Sequence, residues 1–191
     1  MLIEPAQARS TQPVRVRGDA SSQFLTGILQ SAPLLARAHD LIVDVEGELI
    51  SKPYIDLSIA LMQRFGVTVE RSQTESGTPR FTVAAGARYL APGRFHVEGD
   101  ASSASYFLAL GALAGGPVRV HGMGSSCLQG DVRFIDVLSA MGADVTQGED
   151  WTEVQSAGLA GGFRPAAFDT DFNHIPDAAM TAAVMALFAD G

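Results

Sequence analysis

The chain has 191 residues, 47% of them hydrophobic, and a net charge of −8, enough apolar material for a core or two and too much for a disordered chain. Its thirteen Lys and Arg are scattered without a basic stripe, which argues against a nucleic-acid surface. Charged or polar residues break every apolar run before membrane-spanning length, Met1-Leu2-Ile3-Glu4-Pro5 lacks the basic start of a signal peptide, and the single Cys127 suits a reducing cytoplasm without disulfides.

In chain order, the first ten or so residues read as a frayed lead-in. Val14-Arg15-Val16-Arg17 alternates as a strand. Ser21 to Leu35 places Phe24, Leu25, Ile28, Leu29 and Ala32 at helical spacing, with Pro33 at or near the end. Leu41 to Val45 is a strand, and Asp56 to Phe65 a helix with Ile55, Ile59, Met62 and Phe65 on one side. Val67-Thr68-Val69 is predicted as a strand, as are Phe81-Thr82-Val83 and Phe95-His96-Val97. Ala104 to Ala114 is an Ala/Leu-rich helix predicted to be buried on most sides. Val118-Arg119-Val120, Ala143-Asp144-Val145 and Trp151 to Val154 are strands, and Val132 to Met141 a helix. Gly158 to Pro165 is a turn-rich linker, and Asp177 to Ala189 a last helix with no following strands to cover it.

These elements form a repeat. Gly18-Asp19-Ala20-Ser21-Ser22 and Gly99-Asp100-Ala101-Ser102-Ser103 open two stretches of the same plan, each with a second helix ending in a hydrophobic residue plus glycine (Phe65-Gly66, Met141-Gly142). Ile175-Pro176-Asp177-Ala178-Ala179-Met180-Thr181 begins a third. Paired strands late in each unit are too close for crossover helices. The fold class expected is therefore α+β, in βαβαββ units with mixed sheets facing helices. No Gly-rich nucleotide loop is present.

The repeat separates scaffold from site. Shared features are fold requirements, so Gly-Asp-Ala-Ser-Ser reads first as a strand end turning into a helix capped by Ser or Asp. The first copy alone continues as Gln23-Phe24-Leu25 and carries Ser51-Lys52-Pro53-Tyr54 before its second helix, where the other has Cys127-Leu128-Gln129-Gly130. Ser21 and Ser22 place hydroxyls and free N–H groups at a helix start, an end that suits a phosphate. Ser51 and Tyr54 begin the neighbouring helix; the alternative is that Ser51 caps it with Pro53 at its first position. Asp177 is the candidate for acid–base work, or else a first-turn carboxylate. The four histidines show no metal spacing, and Cys127 has no histidine or second cysteine nearby, so no metal is expected.

Four blocks taken together resemble the 5-enolpyruvylshikimate-3-phosphate synthase family. They are Ala20-Ser21-Ser22-Gln23-Phe24-Leu25-Thr26, Ile50-Ser51-Lys52-Pro53-Tyr54-Ile55-Asp56, Glu98 to Phe107, and Asn173-His174-Ile175-Pro176-Asp177-Ala178-Ala179-Met180-Thr181; Gln129 to Phe134 also match. The resemblance implies the enolpyruvyl transferase fold, two domains of three βαβαββ units each, both only partly present here. Residues 1–97 would be the last unit of the lower domain. Residues 98–191 would be the first unit of the upper domain and the start of its second, with the hinge near Glu98-Gly99. It further implies that Ser21 and Ser22 bind the phosphate of shikimate 3-phosphate and that Gln23 lies between that substrate and phosphoenolpyruvate. Ser51 and Tyr54 would be further contacts, and Asp177 would bind the ring and accept the proton of the attacking hydroxyl.

The implied reaction is transfer of the enolpyruvyl group from phosphoenolpyruvate to the 5-hydroxyl of shikimate 3-phosphate with loss of phosphate, by a monomeric full-length cytoplasmic enzyme needing no cofactor. The family's remaining cationic residues and its Gly-rich phosphoenolpyruvate loop have no counterpart here, so the chain is expected to be an internal fragment, inactive alone. Competing readings are the sister transferase acting on UDP-N-acetylglucosamine and a non-catalytic phosphate-binding repeat domain.

Overall fold

The computed structural model describes residues 12–156 and 164–190. The lead-in and most of the Gly158–Pro165 linker lie outside the described residues. The chain divides into two compact units, Met1–Phe95 and His96–Gly191.

The first unit runs β1 (Val14–Arg17), α1 (Ser22–Leu35), β2 (Leu41–Glu46), α2 (Lys52–Arg64), β3 (Glu70–Gln73) and β4 (Pro79–Val83). Its sheet has the order β1-β2-β4-β3, with β1 and β2 parallel and the other pairs antiparallel. Strand alternation sends Val16, Leu41, Val43, Val45, Phe81 and Val83 to one buried face. Leu25, Leu29 and Ala32 of α1 and Ile55, Ile59 and Met62 of α2 complete that core. Each such aliphatic side chain withdrawn from water contributes about 1.5–3 kcal/mol.

The opposite face is charged. Arg80 stands across from Asp44 in register and grips it with two bonds of 2.6 and 2.8 Å. Those bonds hold the Asp44 carboxyl below the usual range, against the opposing effect of partial burial. After α2, Gly66 at φ +84° turns the chain, and Val67 N–H donates back to the Met62 carbonyl at 2.9 Å.

The second unit runs α3 (Ala101–Ala114), β5 (Val118–His121), a 3-10 turn (Gly130–Arg133) leading into α4 (Phe134–Ala140), β6 (Ala143–Gln147), β7 (Trp151–Ser156), a second 3-10 turn (Pro176–Ala178) and α5 (Ala179–Ala186). Its sheet is β5-β7-β6. A Cβ at Gly111 of α3 would stand 2.4 Å from the Val154 carbonyl oxygen, so a glycine there lets the helix lie directly on β7. Gly142, at φ +91°, closes α4 as Gly66 closes α2.

Several expectations need correction. Val67 and Val69 are buried, yet pairing begins only at Glu70, opposite Thr82. Strand β4 ends at Val83, so positions 67 and 68 have no strand residue to face in this register, and just beyond that end the Ala85 N–H donates to the Asp40 carboxylate at 2.8 Å. Phe95-His96-Val97 is no strand: Phe95 packs on Phe65 with ring centres 5.3 Å apart, and Val97 is 77% exposed. Among the described residues the second sheet is accordingly all antiparallel rather than mixed. Phe24, at helical spacing with core residues, is 61% exposed. Helix α3 buries one side only, with Tyr106, Phe107 and Leu110 more than half exposed on the other.

Candidate functional site

Strands β1 and β2 are adjacent and parallel, so the helices they feed begin at the same edge of the sheet. The two connecting loops touch there. Gly18 N–H donates to the Glu46 carbonyl at 2.8 Å, and Ile50 N–H donates to the Gly18 carbonyl at 3.3 Å. A Cβ on Gly18 would lie 2.6 Å from Val45 Cγ1 and 2.9 Å from the Glu48 carbonyl, so the approach demands glycine. Ser21 follows three residues after this contact, and Ser51 directly follows Ile50. The fold therefore brings the Ser21–Gln23 and Ser51–Tyr54 blocks to one sheet edge.

Ser21 caps α1, its hydroxyl accepting from Gln23 N–H at 3.2 Å. Ser22 is buried at the first helical position, while Gln23 is exposed. Ser51 precedes α2 at φ 52°, ψ 41°, the only non-glycine residue with positive φ among the described residues. Its hydroxyl makes no capping bond, so the alternative of Ser51 as a side-chain cap is not what forms. A serine held in this region costs about 1–2 kcal/mol, and such residues gather at binding sites. Tyr54 is half-buried in the first turn, with its N–H donating to the Ser51 carbonyl at 3.2 Å. Neither helix has an acidic residue in its first turn to offset the positive end.

The second copy uses the equivalent residues differently. Its loops meet in the same way, Gly99 N–H donating to the Gly122 carbonyl at 2.7 Å. Its helix starts two residues earlier, however, because Asp100 is the cap and accepts from Ser102 N–H at 3.0 Å. In the first copy the equivalent Asp19 is taken by Arg17 in a two-bond fork of 3.0 and 2.8 Å, and capping passes to Ser21. The second copy has Glu98 in place of Arg17, and Glu98 instead accepts from Leu128 N–H at 3.1 Å and from the Cys127 thiol at 3.3 Å.

Ser102 donates to Asp131, and Ser103 to Asp100. That second bond, ahead of the Ser102 and Ser103 backbone N–H groups, holds the Asp100 carboxyl below the usual range. Both serine hydroxyls of the second copy are thus engaged. Among the described residues no hydrogen bond engages the hydroxyls of Ser22 and Ser51 or the side-chain amide of Gln23.

Asp177 lies in the 3-10 turn before α5, exposed, without an ion pair among the described residues. It belongs to the second unit, whereas Ser21, Ser22, Gln23, Ser51 and Tyr54 belong to the first. Burial pushes the Cys127 thiol up to about 11, so it is protonated near neutral pH and no nucleophile. Among the described residues no three His, Cys, Asp or Glu side chains gather as a metal site.

Two cavities of the first unit have none of these residues in their lining. One of about 640 Å³ sits by Arg15, Asp44, Glu46, Thr74 and Arg80, and one of about 230 Å³ lies between the start of α2 and the β3–β4 pair. The sequence reading passed over Lys52, which lines the smaller cavity. It is the chain's single lysine and sits at the positive end of α2 with no ion-pair partner among the described residues.

Comparison with solved structures defines the fold. EPSP synthase from Acinetobacter baumannii superposes with a TM-score of 0.63 at 20% identity, over 94% of this chain and 40% of that one. The enolpyruvyl transferase NikO from Streptomyces tendae gives 0.57 at 18% identity, over 94% and 42%. The fold is that of the enolpyruvyl transferases, built from α+β units. At the level of sequence, residues 3–191 match the family described as EPSP synthase (3-phosphoshikimate 1-carboxyvinyltransferase), and the chain belongs to that family.

Proteins called 3-phosphoshikimate 1-carboxyvinyltransferase from Herminiimonas arsenicoxydans and Burkholderia lata are 59% and 58% identical, over 180 and 192 residues. These matches cover 94% and 100% of this chain but 39% and 43% of the relatives, so the chain spans about two fifths of their length.

Proposed function

We propose that this chain carries the shikimate 3-phosphate side of an enolpyruvyl transfer site, for the reaction that joins phosphoenolpyruvate to the 5-hydroxyl of shikimate 3-phosphate and releases phosphate. One observation carries the reading. The repeat engages its second-copy serines internally and leaves Ser22, Gln23 and the strained Ser51 of the first copy unengaged at one sheet edge. Hydroxyls at two helix starts whose first turns hold no acidic residue suit a phosphate monoester.

In this reading Ser21, Ser22 and Ser51 hold the 3-phosphate, and Tyr54 borders the ring. The Gln23 amide donates between the two substrates. The Asp177 carboxylate takes the proton of the 5-hydroxyl as its oxygen bonds to C2 of phosphoenolpyruvate, while C3 gains a proton. The resulting ketal then loses phosphate from C2 and a proton from C3, restoring the vinyl group. Rate comes from holding two anions in register and from fixed dipoles facing the shifting charge. No cofactor is called for. We place the hinge between the domains near Glu98-Gly99, a choice supported by the division of the chain after Phe95. A cytoplasmic, monomeric full-length enzyme completes the reading.

The test is a chimera in which these 191 residues replace the matching segment of the Herminiimonas arsenicoxydans protein. Phosphate release from phosphoenolpyruvate is expected with shikimate 3-phosphate. Asp177→Ala should lower kcat by about 10²–10⁴-fold with little change in KM. Turnover with UDP-N-acetylglucosamine alone would overturn the substrate. A near-normal rate for Asp177→Ala would return that residue to a helix-start carboxylate.

A further inference from the structure

Helix α5 has no charged residue, and its only polar side chain is Thr181. Such a helix lacks the polar stripe that ordinarily decides which side faces the core. Its exposed side carries Met180 and Val184, with Leu187 and Phe188 just beyond, while its buried side carries Met185 beside the small Ala178 and Ala182. With large apolar side chains on both sides, the residue pattern by itself does not mark one of them as the inner side. α3, against which α5 packs, is likewise uncharged and apolar on both sides.

What singles out the setting is polar. Ser105 of α3, fully buried, lies 2.8 Å from the Thr181 hydroxyl, itself buried. Ser105 has one hydroxyl proton and donates it to the Ser102 carbonyl at 2.6 Å, so Thr181 is the donor and Ser105 the acceptor. Rotating α5 by one residue, about 100°, would bring an aliphatic group or thioether to Ser105 and break that bond. Asp177 lies four residues before Thr181 and beside the buried Ala178, so the same rotation swings its carboxylate.

We infer that the Thr181–Ser105 hydrogen bond sets the rotation of α5 on α3 and thereby aims the Asp177 carboxylate. Thr181 and Ser105 are positioning residues. The aiming half of this inference rests on the proton-acceptor role proposed for Asp177; the rotational half stands without it.

The native methionines report the rotation. Met180 is 74% exposed and Met185 is 1% exposed, while Met62, in the core of the first unit, is an internal reference at 3%. In the 191-residue chain carrying 13C-methyl methionine, a soluble spin label should broaden Met180 and spare Met185 and Met62. Thr181→Val and Ser105→Ala should each strip Met185 of protection relative to Met62, and Thr181→Ser should restore it. Unchanged protection of Met185 in both variants overturns the inference.

In the active chimera, Thr181→Val should lower kcat by up to about 10²-fold with KM unchanged, and Thr181→Ser should recover it. If protection is lost at unchanged kcat while Asp177→Ala is still slow, the aiming step is overturned and the proposed reaction stands. If Asp177→Ala is also unimpaired, the Asp177 assignment itself falls.

Discussion

Ser51 shows how much of a candidate site is visible in one backbone angle. A left-handed serine costs free energy that glycine would not, and here its hydroxyl gains no cap bond in return. Ser51→Gly should raise stability by about 1 kcal/mol in thermal melts, because glycine adopts that conformation without a Cβ clash. In the active chimera the same change should raise the KM for shikimate 3-phosphate. A variant that is more stable and binds as well would mean that the strain serves nothing at the site. Cys127 illustrates the contrary case: half-buried, with its pKa raised, it is a packing residue, as its isolation from histidine suggests.

At the level of elements, the repeat makes its own control experiment. The same five residues open α1 and α3, yet the residue just before them decides how they are used. Arg17 draws Asp19 away from the helix, and Ser21 caps; Glu98 cannot, and Asp100 caps two residues earlier. Asp100→Ala should therefore cost about 1 kcal/mol of stability as a lost cap. Asp19→Ala, at the equivalent repeat position, should shift the melting temperature less. Equal shifts would mean that the two helix starts are built alike. The engaged serines of the second copy leave it without the free hydroxyls on which the proposal for the first copy rests.

For the whole molecule, charge and length govern. A chain with net charge −8 is a poor host for two anionic substrates by itself. It spans 39–43% of the relatives named above. The reading therefore predicts no phosphate release by these 191 residues alone, at any concentration of the two substrates, and release once they stand within a chain of the relatives' length. Measurable turnover by the isolated chain would show that the groups within it suffice.

The order of elements, the repeat, the turn glycines and the likeness to a family were all legible in the sequence, because each is written in residues near one another. Period-two strands, period-three-to-four helices and a hydrophobic residue followed by glycine need no distant partner to be recognised. The same locality explains the errors. Whether Val67 and Thr68 find a partner depends on how far β4 runs, and β4 ends at Val83. Whether Phe95 to Val97 forms a strand depends on a ladder partner that their alternation cannot reveal. Helix α5 carries apolar residues on both sides, and its contact with α3 includes a hydroxyl pair 76 positions apart that no local pattern announces. The free hydroxyls of the candidate site belong to this second kind of information: serine at a helix start is common, and only the tertiary partners decide which serines are engaged.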